Sequence, residues 1–173
     1  MYGYFIIRRL HSSFHVGNYF YLYCDILFMY GRILIAVDGS ESNKYAIEDG
    51  LTLAKQMGSI VTALCVFDVG SFANVAQGYG VVDERDYAKS AYEAALEYIL
   101  ERGKELDIEV TPKMMAGRPA EMIINESAEH DLVVCGTLGR SGLSRALIGS
   151  VAEKVVRFSY CPVLVCRKPE YQL

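Results

Sequence analysis

Three absences narrow the possible functions of this chain. No C-x-x-C pair occurs among its five cysteines, which stand alone at 24, 65, 135, 161 and 166. An odd, scattered set of this kind gives neither a disulfide framework nor a paired-thiol metal site. There is no basic surplus either. Lys and Arg number 17 against 21 Asp and Glu, for a net charge of −4, which argues against nucleic acid as the principal partner. No apolar run reaches the roughly 20 residues that a membrane span needs; the richest stretch, within 1–28, is interrupted by Asn18 and Asp25. What remains is 173 residues, 52% hydrophobic and 22% charged, enough for one domain with a substantial core. Cys65, Cys135 and Cys166 fall in apolar runs and read as buried, reduced thiols, which suits a cytoplasmic protein with no membrane partner.

Residues 1–28 differ from the rest. They hold nine of the twenty Phe and Tyr residues and two of the three histidines. They have neither the clean apolar core nor the small-residue cleavage site of a signal peptide. Met29-Tyr30-Gly31-Arg32 leads directly into an apolar run, so 1–28 read as an aromatic-rich extension outside the fold, with Met29 as the native start. The competing reading is an aromatic tail that covers a surface or anchors loosely to a membrane. Without the segment the net charge is −5, and the class is unchanged.

From 29 to 173 the chain alternates short apolar runs with helical periodicity. Arg32–Val37 reads as a buried strand ending at Asp38-Gly39-Ser40. Ser40 or Ser42 can cap a helix striped by Ile47, Gly50, Leu51, Ala54 and Met57 and closed by Gly58. Ser59–Phe67 is a second strand, and Gly70–Val82 a glycine-bearing connector. Asp83–Glu105 is the longest helix, with Tyr92, Leu96, Ile99 and Gly103 on one face. Ile108–Met115 is a third strand. Pro119 is well placed to start a third helix, striped by Ala120, Ile123, Ile124 and Ala128. A fourth strand, Leu132–Cys135, stops at Gly136. A last helix striped by Val151, Val155 and Phe158 leads to a final strand, Pro162–Arg167. Five strands alternating with helices predict an open five-stranded parallel sheet with right-handed crossovers and helices on both faces, a Rossmann-like α/β fold.

The stretch from Asp131 to Val151 carries the chemistry. Glycines at 136, 139 and 142 follow its strand, and Gly149-Ser150 opens the next helix. Glycine lets a ligand approach bare peptide N–H groups, and a helix start supplies donors and the positive end of a dipole. Strand, glycine loop and helix start together make a phosphate cradle. The spacing is neither that of the Walker loop, which requires Gly-Lys-Ser or Gly-Lys-Thr, nor G-x-G-x-x-G. It is Gly136-x-x-Gly139, then nine residues, then Gly149-Ser150.

That spacing resembles the ATP-binding signature of the universal stress protein family. Three other segments share the resemblance: Ile33–Ser40, Cys65–Asp68 and Gly117–Glu121. So does most of Asp131–Arg167, including Gly-Ser-Val-Ala-Glu-Lys-Val-Val. The resemblance runs from about Met29 to the end. It implies a strand order of 3-2-1-4-5, a homodimer through the last strand, a role in stress response, and ATP as ligand, with Mg or Mn as the accompanying ion. Carried over by position, Asp38 contacts the adenosine, Ala36 lines the base pocket and Val66 offers its backbone to the adenine edge. Gly136 and Gly139 approach ribose and phosphates, and Gly149, Ser150 and Val151 bind the phosphates. Leu138 stands where many relatives have histidine or arginine, which leaves Arg140 as the nearest cation. Asp38 could serve only as an N-cap or turn aspartate, but its place at the expected switch point favours ligand contact. His130 precedes the fourth strand, away from the crevice, and reads as structural or exposed.

Three function classes follow. The first is an ATP-binding sensor or switch acting through a dimer and an unknown protein partner. The others are a slow ATPase and a dimeric stress scaffold that binds no nucleotide. Phosphoryl transfer needs a positioned metal, a water-orienting group and cations. Asp38 and Arg140 without a Walker lysine supply little of that, so the sensor is favoured and no catalytic residue is assigned. The residues do not separate ATP from AMP or a cyclic nucleotide.

Overall fold

The computed structural model describes residues 5–7, 30–68, 84–137 and 148–167. The strands are β1 (Phe5–Ile7), β2 (Arg32–Val37), β3 (Ile60–Phe67), β4 (Val110–Ala116), β5 (Leu132–Gly136) and β6 (Val163–Cys166). The helices are α1 (Asn43–Met57), α2 (Glu84–Leu106), α3 (Pro119–Glu126) and α4 (Ser150–Phe158), with a 3-10 turn at Ser127–Glu129. The connector at 70–82 lies outside the described residues, as does the side chain of Tyr92.

The sheet order is β1-β6-β5-β2-β3-β4. β2 through β6 are mutually parallel. Counted alone, these five strands have the order 3-2-1-4-5, as expected. β1 adds a sixth strand, antiparallel to β6, with Ile6 opposite Leu164. Of the extension thought to stand outside the fold, only these three residues are described.

The continuous apolar runs are required because both faces of the sheet are covered. Along β2, Ile33, Ile35 and Val37 point into one core with Ile47, Leu51, Leu96 and Ile99 of α1 and α2. Leu34 and Ala36 point into the other, with Ile123 of α3 and Ala152 and Val155 of α4. Ile33, Leu34 and Ile35 are completely buried. Each such side chain contributes about 1.5–3 kcal/mol relative to exposure.

Register at the centre is set from the strand entrances. The backbone N–H of Arg32 donates to Asp131 Oδ2 at 2.8 Å. The Asp131 N–H donates back to the Arg32 carbonyl, also at 2.8 Å. This double bond pairs Ile33 with Leu132 and carries the β2–β5 ladder forward. His130, just before β5, is half-buried and structural. One ring nitrogen lies 2.9 Å from the Glu126 carbonyl and the other 3.0 Å from Thr62 Oγ1.

Two expected helix stripes are corrected. In α4 the core-facing residues are Ala152 and Val155, with Val156 packed beside them, whereas Val151 and Phe158 are exposed. The helix is turned so that its small residue meets the sheet. In the third helix Ala128 is exposed, because the chain tightens into the 3-10 turn and buries Ser127 instead. Ser127 is satisfied there: its hydroxyl donates to the Ile124 carbonyl at 2.6 Å and accepts the Tyr160 N–H at 3.0 Å.

α1 and α2 are joined by a polar clip. Arg102 holds Glu48 through Nε at 2.7 Å and Nη2 at 3.0 Å, and Tyr98 donates its hydroxyl to Glu48 Oε1 at 2.6 Å. The Arg102 bond holds the Glu48 carboxyl below its ordinary pKa, while the Tyr98 phenol, tied to that carboxylate, is pushed up to about 12. Closer to β4, α2 approaches the sheet at Gly103, where an added Cβ would lie 2.6 Å from Val110 Cγ2 and 3.2 Å from the Ile108 carbonyl.

Two outcomes follow for stability. Gly103→Ala gains about 1 kcal/mol of helix propensity but overpacks the α2–β4 contact by about 1–3 kcal/mol, so a net loss is expected in urea unfolding. Glu48→Gln lowers the unfolding midpoint slightly at pH 7. Because the folded pKa of Glu48 is depressed, its contribution is complete above the ordinary value of 4.5 and is lost as pH falls through the folded value. The gap between wild type and variant therefore closes on acidification; a gap that widens would contradict the clip.

Candidate functional site

The order of the parallel strands reverses at β2 and β5. β2 has β3 on one side and β5 on the other, and their connections leave on opposite faces of the sheet. In open α/β sheets a crevice forms at the carboxyl ends of such strands. Of the residues singled out from sequence, Ala36 and Asp38 end β2, Gly136 ends β5, and Val66 lies near the end of β3. Gly149, Ser150 and Val151 form the start of α4. Gly139, Arg140 and Leu138 lie outside the described residues.

The backbone ties these pieces together. The Gly149 N–H donates to the Thr137 carbonyl at 2.7 Å, so α4 begins beside the exit of β5. Thr137 in turn donates its N–H to the Cys166 carbonyl at 2.9 Å. Gly149 takes an extended conformation, φ −61° and ψ 153°, and has no side chain with which to cap the helix. The first-turn N–H groups of any helix lack intrahelical partners. Ser150 and Val151 are exposed residues. Ala36 and Val66 belong to the core face that α4 covers, and Ala36 adds only a methyl group there.

The loop after β2 is shaped differently. Gly39 takes φ +75°, a left-handed conformation that glycine adopts without strain. Asp38 Oδ1 accepts the Ser40 N–H at 2.8 Å, so the aspartate does form a turn, as one of its two readings required. Asn43 is a residue that sequence reasoning missed. Its side-chain amide donates to the Ala36 carbonyl at 3.0 Å, and its Oδ1 accepts the Asp38 N–H at 3.3 Å. With only 3% exposure, Asn43 fixes the two β2 positions that face the crevice. A polar side chain five residues after a strand-ending aspartate was the available signal.

Three of the described thiols are held in the protonated form. Burial pushes the Cys135 pKa up to about 12 and that of Cys161 to about 11, and Cys166 is raised as well. The thiolate is the reactive form, so these groups serve as small hydrophobes. Among the described residues, no three His, Cys, Asp or Glu side chains converge to hold a metal ion, and no helix is long and apolar enough to cross a membrane.

Replacing Asn43 by Ala leaves the buried Ala36 carbonyl and the Asp38 N–H without their partner. An unsatisfied buried polar group costs about 1–3 kcal/mol, and a loss of that size is expected in chemical denaturation. Ser42→Ala, whose hydroxyl gives the helix no cap bond, serves as the control and should fall within about 0.5 kcal/mol of wild type.

Comparison with known proteins agrees with this architecture. Residues 29–167 match the universal stress protein family. Universal stress protein MJ0531 of Methanocaldococcus jannaschii is 35% identical over 146 residues, spanning 82% of this chain and 85% of that protein. The solved structure of hypothetical protein MJ0577 is similar with a TM-score of 0.64 at 28% identity, over 83% of this chain and 99% of that one. A universal stress protein solved in complex with cAMP shares the fold, with a TM-score of 0.61 at 20% identity over 82% of this chain and 99% of that one. This chain belongs to the universal stress protein family.

Proposed function

We propose that the chain binds an adenine nucleotide, ATP, in the crevice between the ends of β2 and β5, and acts in the stress response as a cytoplasmic sensor or switch. The switch works through a homodimer formed at the last strand and an unknown protein partner. The observation that carries this reading is the start of α4. Its cap position is a glycine, its first two residues are exposed, and the Gly149–Thr137 bond holds it at the exit of β5. A helix start of this kind attracts phosphate through its donors and its dipole. Gly136, Gly139, Gly149, Ser150 and Val151 are assigned to ribose and phosphates, with Arg140 as the added cation. Ala36 and Val66 sit on the apolar face next to α4 and are assigned to the base, and Asp38 to the adenosine. The cAMP complex of a fold neighbour supports adenine-nucleotide chemistry at this architecture.

Mg or Mn would arrive with the phosphates, since a hard cation of this kind keeps several waters and few protein ligands. Turnover is secondary in this reading. Without a Walker lysine the chain's own residues bind and orient the nucleotide, and hydrolysis is slow or depends on a partner.

Calorimetry with ATP tests the site. The φ and ψ of Gly149 are open to valine, so Gly149→Val keeps the helix start and fills the phosphate approach. Asp38→Ala gives up the Ser40 turn bond, worth about 1 kcal/mol. Each variant should remain folded and lose at least about tenfold in affinity, equal to about 1.4 kcal/mol. Unchanged affinity in both would refute the residue assignment. Failure of the unaltered chain to bind any adenine nucleotide would refute the function.

A further inference from the structure

We infer that Phe5–Ile7 is a removable cover on a strand edge that otherwise pairs with the same edge of a second copy of this chain. The two edges of the sheet differ in kind. At the β4 edge stand Pro112 and Lys113, both exposed. A proline fits a strand only where its nitrogen faces away from the ladder, so this edge lacks a donor, and its lysine adds a charge. Lys113 is also anchored, to Glu126 at 2.6 Å. Such features discourage the addition of another strand.

The β6 edge has none of them. Val163, Leu164, Val165 and Cys166 contain no charge and no proline, and their side chains are all buried. The strand is short and apolar, and its backbone is complete on the side away from β5. That side is taken by β1, with Phe5 opposite Val165, Ile6 opposite Leu164 and Ile7 opposite Val163. The pairing is antiparallel within an otherwise parallel sheet. Antiparallel pairing is also what a two-fold axis imposes when one strand meets its own copy. A second β6 brings no like charges together across the axis.

α4, which leads into β6, extends the same surface. Val151, Phe158 and Tyr160, on α4 and the link from it to β6, are 38%, 62% and 73% exposed, apolar area that the chain's own core leaves uncovered. A strand pair of four residues is weak alone, and these side chains supply further area for a second copy to bury.

The inference rests on the dimer reading above and adds its control: β1 and the partner's β6 compete for one row of backbone groups. β1 brings only three residues, so it yields readily. The test compares the full chain, the chain begun at Met29, and full-chain Ile7→Pro, by light scattering after gel filtration across a dilution series. Leu164 directs its backbone groups to β5, so the pairs that bond across to β1 are Phe5–Val165 and Ile7–Val163. Ile7→Pro removes one of these donors while leaving 30–167 unchanged. The expected result is one chain per particle for the full protein and two for both altered forms, all with the same far-ultraviolet spectrum in the helical region. A full chain as dimeric as the shortened one would overturn the cover and leave the dimer standing. A shortened chain that stays single would overturn the dimer and the cover with it. A shortened dimer beside a single-chain Ile7→Pro protein would overturn the strand contact as the means of control.

Discussion

The pairing of β2 with β5 is the constraint on which the rest of the molecule depends. Both strands are buried on both faces, so a slip of one residue would exchange every side chain between the two cores. Apolar content alone cannot prevent that slip, because residues on both faces are apolar. Asp131 can. Its carboxylate and backbone N–H engage both backbone groups of Arg32, which fixes Ile33 opposite Leu132 before either strand enters the core. The carboxyl ends then diverge in one defined register, with Asp38 on one side and Gly136 on the other.

The two helix starts near the crevice are treated in opposite ways. At α1 the first N–H is engaged, since Asn43 donates to Ser40 through both its carbonyl and its hydroxyl, and the Asn43 side chain reaches back to Ala36 and Asp38. At α4 the cap is a glycine and the first two helical residues, Ser150 and Val151, are exposed. Uncapping a helix costs about 1 kcal/mol when it is gratuitous. The Gly149–Thr137 bond fixes where the start of α4 lies.

Much of this was legible in the sequence, for definite reasons. The apolar runs at Arg32–Val37 and Leu132–Cys135 are long enough for strands and too short for helices, and glycine or aspartate punctuates their ends. The order 3-2-1-4-5 came from family resemblance, since alternation of elements does not choose among parallel topologies. The α4 stripe was misread because its nine residues support two registers, 151/155/158 and 152/155/156. The bulkier set drew the assignment, whereas close approach to the sheet favoured Ala152. Asn43 was missed because burial of a polar residue in a first helical turn depends on tertiary partners. The loop at 138–147, with Gly139 and Arg140, lies outside the described residues, so that half of the site rests on its motif.

The asymmetry of the sheet edges bears on what kind of device this is. A nucleotide at the β2–β5 crevice sits two strands from the β4 edge and one strand from β6. The hydrogen-bond path between the crevice and β6 is short: Gly149 to Thr137, and Thr137 to the carbonyl of Cys166, the last residue of β6. A ligand that orders the start of α4 therefore acts on the same helix that carries Val151 and Phe158 and runs into the β6 edge. Coupling requires an element with two arrangements that both sites bias. In this chain the candidate is α4 with β6, because the proposed nucleotide site and the unguarded edge share it. On the other side the Gly117 N–H at the exit of β4 donates to the Phe67 carbonyl at 2.9 Å, but the edge it reaches is guarded by Pro112 and Lys113. A nucleotide-dependent change in assembly would thus appear on the β6 side of the sheet.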